Sequence, residues 1–214
     1  MNPKFSIVIT TYNRSELLVR ALNSLISQTE NDWEAIVIDD GSTDDTSIRI
    51  SVFLKRYPNI HYFKQAENSG AAMAKNLGIK MACGDYISFL DSDDEYEINH
   101  LAIRLKILND NPNVDLLHGG VRIIGNEFVP DRQNPDKMIH LSDCKIGGTF
   151  FIKRESLKRT GYFDDVALGI DSDWFDKAAK AGFEIMKINI PTYIYHREIQ
   201  DSITHNFMKN IIHG

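Results

Sequence analysis

An α/β fold built on a mostly parallel sheet is what this 214-residue chain predicts, and three observations predict it. Short apolar runs rich in β-branched residues alternate with stretches of helical periodicity. Each run ends in a polar, turn-forming loop. One run, Tyr86-Ile87-Ser88-Phe89-Leu90, stops abruptly in Asp91-Ser92-Asp93-Asp94. Such alternation implies strand-helix-strand crossovers, and ligands of such sheets gather beyond the carboxyl ends of the strands.

Phe5-Ser6-Ile7-Val8-Ile9-Thr10 has the length and residue types of a first strand, interrupted by Thr11-Tyr12-Asn13-Arg14. Leu17, Leu18, Ala21, Leu22, Leu25 and Ile26 then recur at helical spacing and make one apolar stripe. Trp33 to Ile38 reads as the second strand, and Asp39 to Asp44 as its loop. Ser42 or Thr43 can cap a helix running to about Tyr57, where Pro58 stops it. Ile60 to Phe63 is a short third strand, and Asn68-Ser69-Gly70 opens a helix through about Met81. Gly84 precedes the fourth strand, and Ile98 to Leu108 is helical until Asn111-Pro112. The loops at Thr10 to Asn13, Asp39 to Thr43 and Asp91 to Asp94 all fall at carboxyl ends, so one crevice can gather them. Three acids within four residues repel one another unless a cation sits among them, which makes Asp91 to Asp94 a metal-site candidate. The same acids also suit the cap and first turn of a following helix.

The second half is less regular. Val114 to Ile124 reads as a long strand. Gly125 to Asp143, with Pro130 and Pro135, has no clear period and is a loop or lid candidate. Gly147-Gly148-Thr149 leads into a strand at Phe150 to Ile152, and Arg154 to Arg159 is a short helix closed by Gly161. Ile170 to Ala181 is a helix ended by Gly182, with Asp171 and Asp173 in its first turn. Phe183 to Tyr195 is strand-rich with Pro191 as a break, before a tail carrying His196, Arg197, His205 and His213.

Composition bounds the function. The net charge of -6 and a pI near 5.6 argue against a surface that coats nucleic acid. Cys83 and Cys144 lie far apart and fit no metal-ligand spacing, so they read as reduced thiols of an intracellular protein. No signal-peptide pattern and no bilayer-length apolar run is present. The expected location is cytoplasmic, with peripheral contact at the inner face of a membrane left open.

Four stretches, in order, carry a resemblance. Ser6-Ile7-Val8-Ile9-Thr10-Thr11-Tyr12-Asn13-Arg14, Ile38 to Asp44, Asn68-Ser69-Gly70 with Ala74-Lys75-Asn76, and Leu90 to Asp94 are similar to the signatures of glycosyltransferase family 2. Gly148-Thr149-Phe150, Gly161-Tyr162-Phe163-Asp164 and Gly169 to Trp174 extend the likeness more loosely. The family comprises inverting nucleotide-sugar transferases of the GT-A fold, a Rossmann-like sheet flanked by helices. The resemblance implies a single domain, with residues 1–112 as its nucleotide-binding half and 113–214 as its acceptor half and tail. It also implies a UDP-sugar donor, a glycan or lipid-linked saccharide acceptor, no nucleic-acid partner and a divalent cation, Mn²⁺ or Mg²⁺.

Roles follow by position. Thr10 and Tyr12 match the nucleoside contacts, where a tyrosine ring offers a stacking face. Asp40 matches the acid that accepts from the uracil imide, and can also cap the next helix. Lys75 stands where the family commonly has Arg; it brings a cation to the base or diphosphate without a bidentate fork, and otherwise reads as a solvated helix lysine. Asp91 matches the acid reaching ribose or a metal-bound water, Asp93 the metal ligand, and His196 a further metal or phosphate contact. Diphosphate oxygens complete such a metal site. Asp171 matches the catalytic base, although Ile170 replaces the usual preceding Glu; Asp171 and Asp173 also suit a helix N-terminus. The Gln-x-x-Arg-Trp signature of processive synthases is absent, which favours transfer of one sugar per encounter.

Two other readings compete. A nucleotidyltransferase calls for a glycine-rich basic loop after the first strand, and Thr10 to Arg14 has no glycine. A non-catalytic nucleotide-sugar-binding module fits the departures at Lys75 and Ile170. The sequence stops soon after His205, and whether an acceptor-binding or membrane-associating extension is missing or is supplied by a partner is left open.

Overall fold

The computed structural model describes residues 2–131, 134 and 136–198. In chain order the strands are β1 (Phe5–Thr11), β2 (Trp33–Asp39), β3 (Ile60–Lys64), β4 (Tyr86–Phe89), β5 (Glu95–Tyr96), β6 (Leu116–Gly125), β7 (Phe128–Pro130), β8 (Met138–His140), β9 (Phe151–Lys153) and β10 (Ile185–Arg197). The α-helices are α1 (Ser15–Ile26), α2 (Thr46–Arg56), α3 (Ala71–Met81), α4 (His100–Asp110), α5 (Leu157–Thr160) and α6 (Ile170–Lys180).

Eight strands form one sheet in the order β3-β2-β1-β4-β9-β6-β10-β5. The first four are mutually parallel, joined by α1, α2 and α3 as crossovers. The chain steps outward from β1 to β3 and then returns to the other side of β1. That reversal leaves the loops after β1 and β4 splayed at the carboxyl edge, where a crevice opens. The second half extends the same sheet. β9 runs against both β4 and β6, β10 runs parallel to β6, and β5 closes the edge against β10. One sheet therefore passes through both halves of the chain.

Strand alternation sorts the core into two layers. Phe5, Ile7 and Ile9 face one side with Leu18, Leu22 and Leu25 of α1 and Leu101 and Leu108 of α4. Val8, Ile36 and Ile38 face the other with Ala72, Ala74 and Ile79 of α3 and Trp174 and Ala178 of α6. This is the two-residue period of strands meeting the apolar stripes of helices. Among the described residues no helix is long and apolar enough to cross a membrane.

Several local expectations are corrected. Neither Ser42 nor Thr43 caps α2, which begins at Thr46; the Ser42 hydroxyl accepts from the Asn13 N–H instead, and the Asp44 carboxylate accepts from the Thr46 N–H. Within 125–143, β7 and β8 pair as a two-stranded ribbon, its register set at Val129 and Ile139. Its pairs Phe128/His140 and Pro130/Met138 are too short for periodicity to register. Pro191 does not break the last strand: β10 runs through it, and only its register against β6 slips between Ile188 and Tyr193. Glu95–Tyr96, two residues long, pairs as a strand that no sequence pattern announces. Pro135, His205 and His213 lie outside the described residues.

Candidate functional site

A cleft of about 660 Å³ opens at the carboxyl edge, between the ends of β1 and β4 on one side and the ribbon, the 143–146 segment and the start of α6 on the other. Thr10, Lys75, Asp91, Asp93, Asp171 and His196 all line it, brought together from five separate segments of sequence. Tyr12 and Asp40 lie in the adjoining loops and do not line it.

The acids after β4 are each held differently. The Asp91 carboxyl is pushed up by burial, and by Asp171 and Asp93 nearby, with Lys75 working in the opposite direction. Asp93 receives the Arg14 guanidinium at 2.9 Å, and Arg20 donates to its backbone carbonyl. Asp94 is buried beneath them; it accepts from the Tyr193 hydroxyl at 2.6 Å and from the His196 N–H at 2.8 Å. Burial, then Asp93 and Asp91, raise its carboxyl well above the ordinary range. Asp94 thereby ties β10 to the acidic loop through a group that tolerates being neutral.

Asp171 enters at the first turn of α6, as its helix-favouring position requires. Its Oδ1 accepts from Lys75 Nζ at 3.0 Å and its Oδ2 from the Gly147 N–H at 3.0 Å. Lys75 is 4% exposed and also lies 3.7 Å from Asp91 Oδ1. Burial disfavours its charge, but Asp171 and Asp91 outweigh burial and raise its pKa.

In the adjoining loops after β1 and β2, Asp40 is buried and Tyr12 is 44% exposed. Asp40 Oδ1 accepts from Gln65 Nε2 at 2.6 Å and from the Ser69 N–H at 2.8 Å, while Oδ2 accepts from the Gly70 N–H at 2.9 Å. The helix start it secures is that of α3, not α2. His196 has Nε2 2.8 Å from Glu95 and Nδ1 3.3 Å from Glu198, so both ring nitrogens already face carboxylates.

The cleft is acid-rich. Its wall presents Asp91, Asp93, Asp131, Asp143, Asp165, Asp171 and Asp176 against Arg14, Lys75 and Lys145. Among the described residues no three of His, Cys, Asp and Glu converge as a self-sufficient metal site. The donor set therefore fits a hard cation only if a ligand supplies further oxygens, as a diphosphate does. Asp94, read from the sequence with Asp91 and Asp93 as part of a metal candidate, instead holds Tyr193 and the His196 N–H; Arg14, Gly147 and Tyr193 were not singled out from the sequence. Arg14 stood inside a quoted motif and Gly147 beside one, but their partners lie 79 and 24 residues away.

The profile described as Glycosyl transferase family 2 matches residues 6–168. A Campylobacter jejuni protein named GalNAc(5)-diNAcBac-PP-undecaprenol beta-1,3-glucosyltransferase is 30% identical over 225 aligned positions, covering 97% of this chain and 69% of the relative. Relatives 44% identical over 108 residues are much longer, and the chain spans 15–18% of their length. Staphylococcus aureus TarS in complex with UDP-GlcNAc superposes with a TM-score of 0.77 at 22% identity, over 94% of this chain and 60% of that one. The mannosyltransferase PcManGT from Pyrobaculum calidifontis, in complex with GDP-Man and Mn²⁺, superposes at 0.75 with 20% identity, over 100% of this chain and 66% of that one.

Proposed function

The chain belongs to glycosyltransferase family 2, and from that premise we propose that it transfers a sugar from a UDP-sugar to a hydroxyl of a glycan or lipid-linked saccharide, with inversion and with metal assistance. The observation that carries this reading is the meeting of Asp91 and Asp93, from the end of β4, with Asp171, from the start of α6, across one cleft. Acids on both walls are what a single displacement needs: one wall for the nucleoside diphosphate, the other for a base.

Uridine binds along Thr10, Tyr12, Asp40 and Asp91. The exposed Tyr12 ring supplies a stacking face. Asp40 Oδ2 carries one donor, from Gly70, and retains a lone pair for an imide N–H. Asp93 is the carboxylate assigned to the divalent cation, and His196 reaches it only by giving up Glu95. When bound with the diphosphate, that cation offsets charge on the departing nucleotide. The PcManGT complex with Mn²⁺ supports a cation of this class, and the TarS complex with UDP-GlcNAc supports a uridine nucleotide. The Campylobacter relative's name supports an acceptor carried on a lipid diphosphate, and with such an acceptor the proposed place of reaction is the cytoplasmic face of a membrane.

Asp171 is the general base. In the displacement the bond from the anomeric carbon to the diphosphate oxygen breaks as the acceptor oxygen bonds to that carbon from the opposite face. The hydroxyl proton passes to the Asp171 carboxylate. Each Asp171 oxygen accepts one internal hydrogen bond and keeps a second acceptor site for that proton.

The test is thermal stabilisation by a panel of UDP-sugars and GDP-mannose, with and without Mn²⁺, followed by UDP release from the stabilising donor. A ligand that binds only the folded state raises the melting temperature by mass action. A UDP-sugar is expected to stabilise, more so with Mn²⁺, and to be turned over. Preference for GDP-mannose would overturn the donor assignment; binding without turnover would make the chain a binding module.

A further inference from the structure

We propose that Lys75 is a positioning residue for the Asp171 carboxylate rather than a cation that binds the donor; this rests on Asp171 being the base. Four observations carry it. The ammonium lies 3.0 Å from Asp171 Oδ1, nearer than the 3.7 Å to Asp91 Oδ1. Its flanks are closed by aromatic rings, with Phe89 and Phe163 centroids at 5.3 and 5.8 Å. The residue is 4% exposed, so a nucleotide could engage the ammonium only by breaking a buried ion pair. The next residue of α3 grips the segment that leads into α6: Asn76 Nδ2 donates to the Phe163 carbonyl at 2.8 Å, and the Phe163 N–H donates to Asn76 Oδ1 at 2.9 Å.

Residues 75 and 76 thus fix both the base and the chain that delivers it. Lys75 on Oδ1 and the Gly147 N–H on Oδ2 hold the carboxylate from two directions, which sets the plane of the group. A carboxylate so held keeps its geometry through the catalytic cycle, and misplacement by about 1 Å is worth about 10²-fold in rate. Lysine suits this task because a point cation can pair with two carboxylates at once, whereas a guanidinium fork would favour one of them.

The experiment measures UDP affinity with Mn²⁺, and kcat and donor KM from UDP release, for Lys75→Met, Lys75→Gln, Lys75→Arg, Asp171→Asn and the double variant Lys75→Met/Asp171→Asn. Lys75→Met should lower kcat about 10- to 100-fold while UDP affinity and donor KM stay within about threefold. Lys75→Arg should recover most of the kcat. The double variant should be no slower than Asp171→Asn alone, because Lys75 acts through the group already removed. Should Lys75→Met not fold, Lys75→Gln reports the same split between kcat and affinity. A tenfold loss of UDP affinity with kcat intact would overturn the proposal in favour of donor binding, and so would losses that multiply in the double variant. Native turnover in Asp171→Asn is a different failure: it removes the base assignment, and this inference with it.

Discussion

Replacing Gly147 with alanine should disable turnover without touching the donor site. A Cβ at this position lies 2.3 Å from Asp171 Oδ1, 2.4 Å from Cγ and 2.6 Å from Oδ2. Comfortable contact begins near about 3.5 Å, so the carboxylate must withdraw by about 1 Å. The Gly147 backbone does not have a positive φ, so the penalty is contact and not strain. Withdrawal cannot preserve both 3.0 Å hydrogen bonds on Asp171, one to Lys75 and one to the Gly147 N–H. A displacement of that size costs about 10²-fold in kcat, or about 2.7 kcal/mol in the barrier. Overpacking adds about 1–3 kcal/mol of lost stability, which a folded protein survives and a melting curve reports. The assay is UDP release at saturating donor, beside UDP affinity by calorimetry with Mn²⁺. A folded Gly147→Ala variant with native kcat would refute the reasoning, because the carboxylate would then be shown free to move.

Three further outcomes are expected. Asp93→Ala should abolish the metal dependence of UDP binding while the melting temperature changes little; calorimetry showing unchanged affinity and unchanged Mn²⁺ dependence would rule Asp93 out as the ligand. Gly148→Ala places a Cβ 2.1 Å from the Tyr193 hydroxyl, the group that donates to Asp94, and should lower unfolding free energy by about 1–3 kcal/mol in urea; a native midpoint would show that Tyr193 yields easily. His118 is pushed down to about 4 by burial, with Lys145 and Lys187 adding to it. The unfolded chain therefore binds a proton that the folded chain refuses, and this contribution to stability falls as pH drops from about 6.5 towards 4. Its size by pH 4.5 is about 2–3 kcal/mol. His118→Asn should lose correspondingly less stability than the native protein between pH 7 and 4.5, and parallel losses would exclude the effect.

The parallel half of the fold was legible because its signals are local. β1 to β4 are apolar runs bounded by turn formers, and α1 and α3 carry their stripes within a dozen residues. The crevice followed from alternation, since Thr10 and Asp91 terminate neighbouring parallel strands. What stayed hidden depends on partners far apart in sequence. β5 is two residues long and exists only because β10 returns beside it. The β7–β8 ribbon has three residues on each side, fewer than an alternating pattern needs. Within the site, residue types and order brought Asp91, Asp93 and Asp171 forward, but not the bonds that hold them. Lys75 read as a solvated or donor-facing lysine because nothing within α3 reports the Asp171 carboxylate 96 residues away. Asp40 read as an acid facing the nucleotide, and its use in securing the start of α3 appears only once Ser69 and Gly70 are seen beside it.

The central claim is that Asp171 takes the proton from the acceptor while a separate set of groups holds the UDP-sugar. Asp171→Asn keeps the shape of the side chain and removes the proton acceptor, so turnover and UDP affinity measured on the same preparation, at saturating Mn²⁺, separate the two duties. Turnover should fall by roughly 10²–10⁴-fold with UDP affinity within about threefold of native. Near-native turnover, or loss of UDP binding in step with activity, would contradict it.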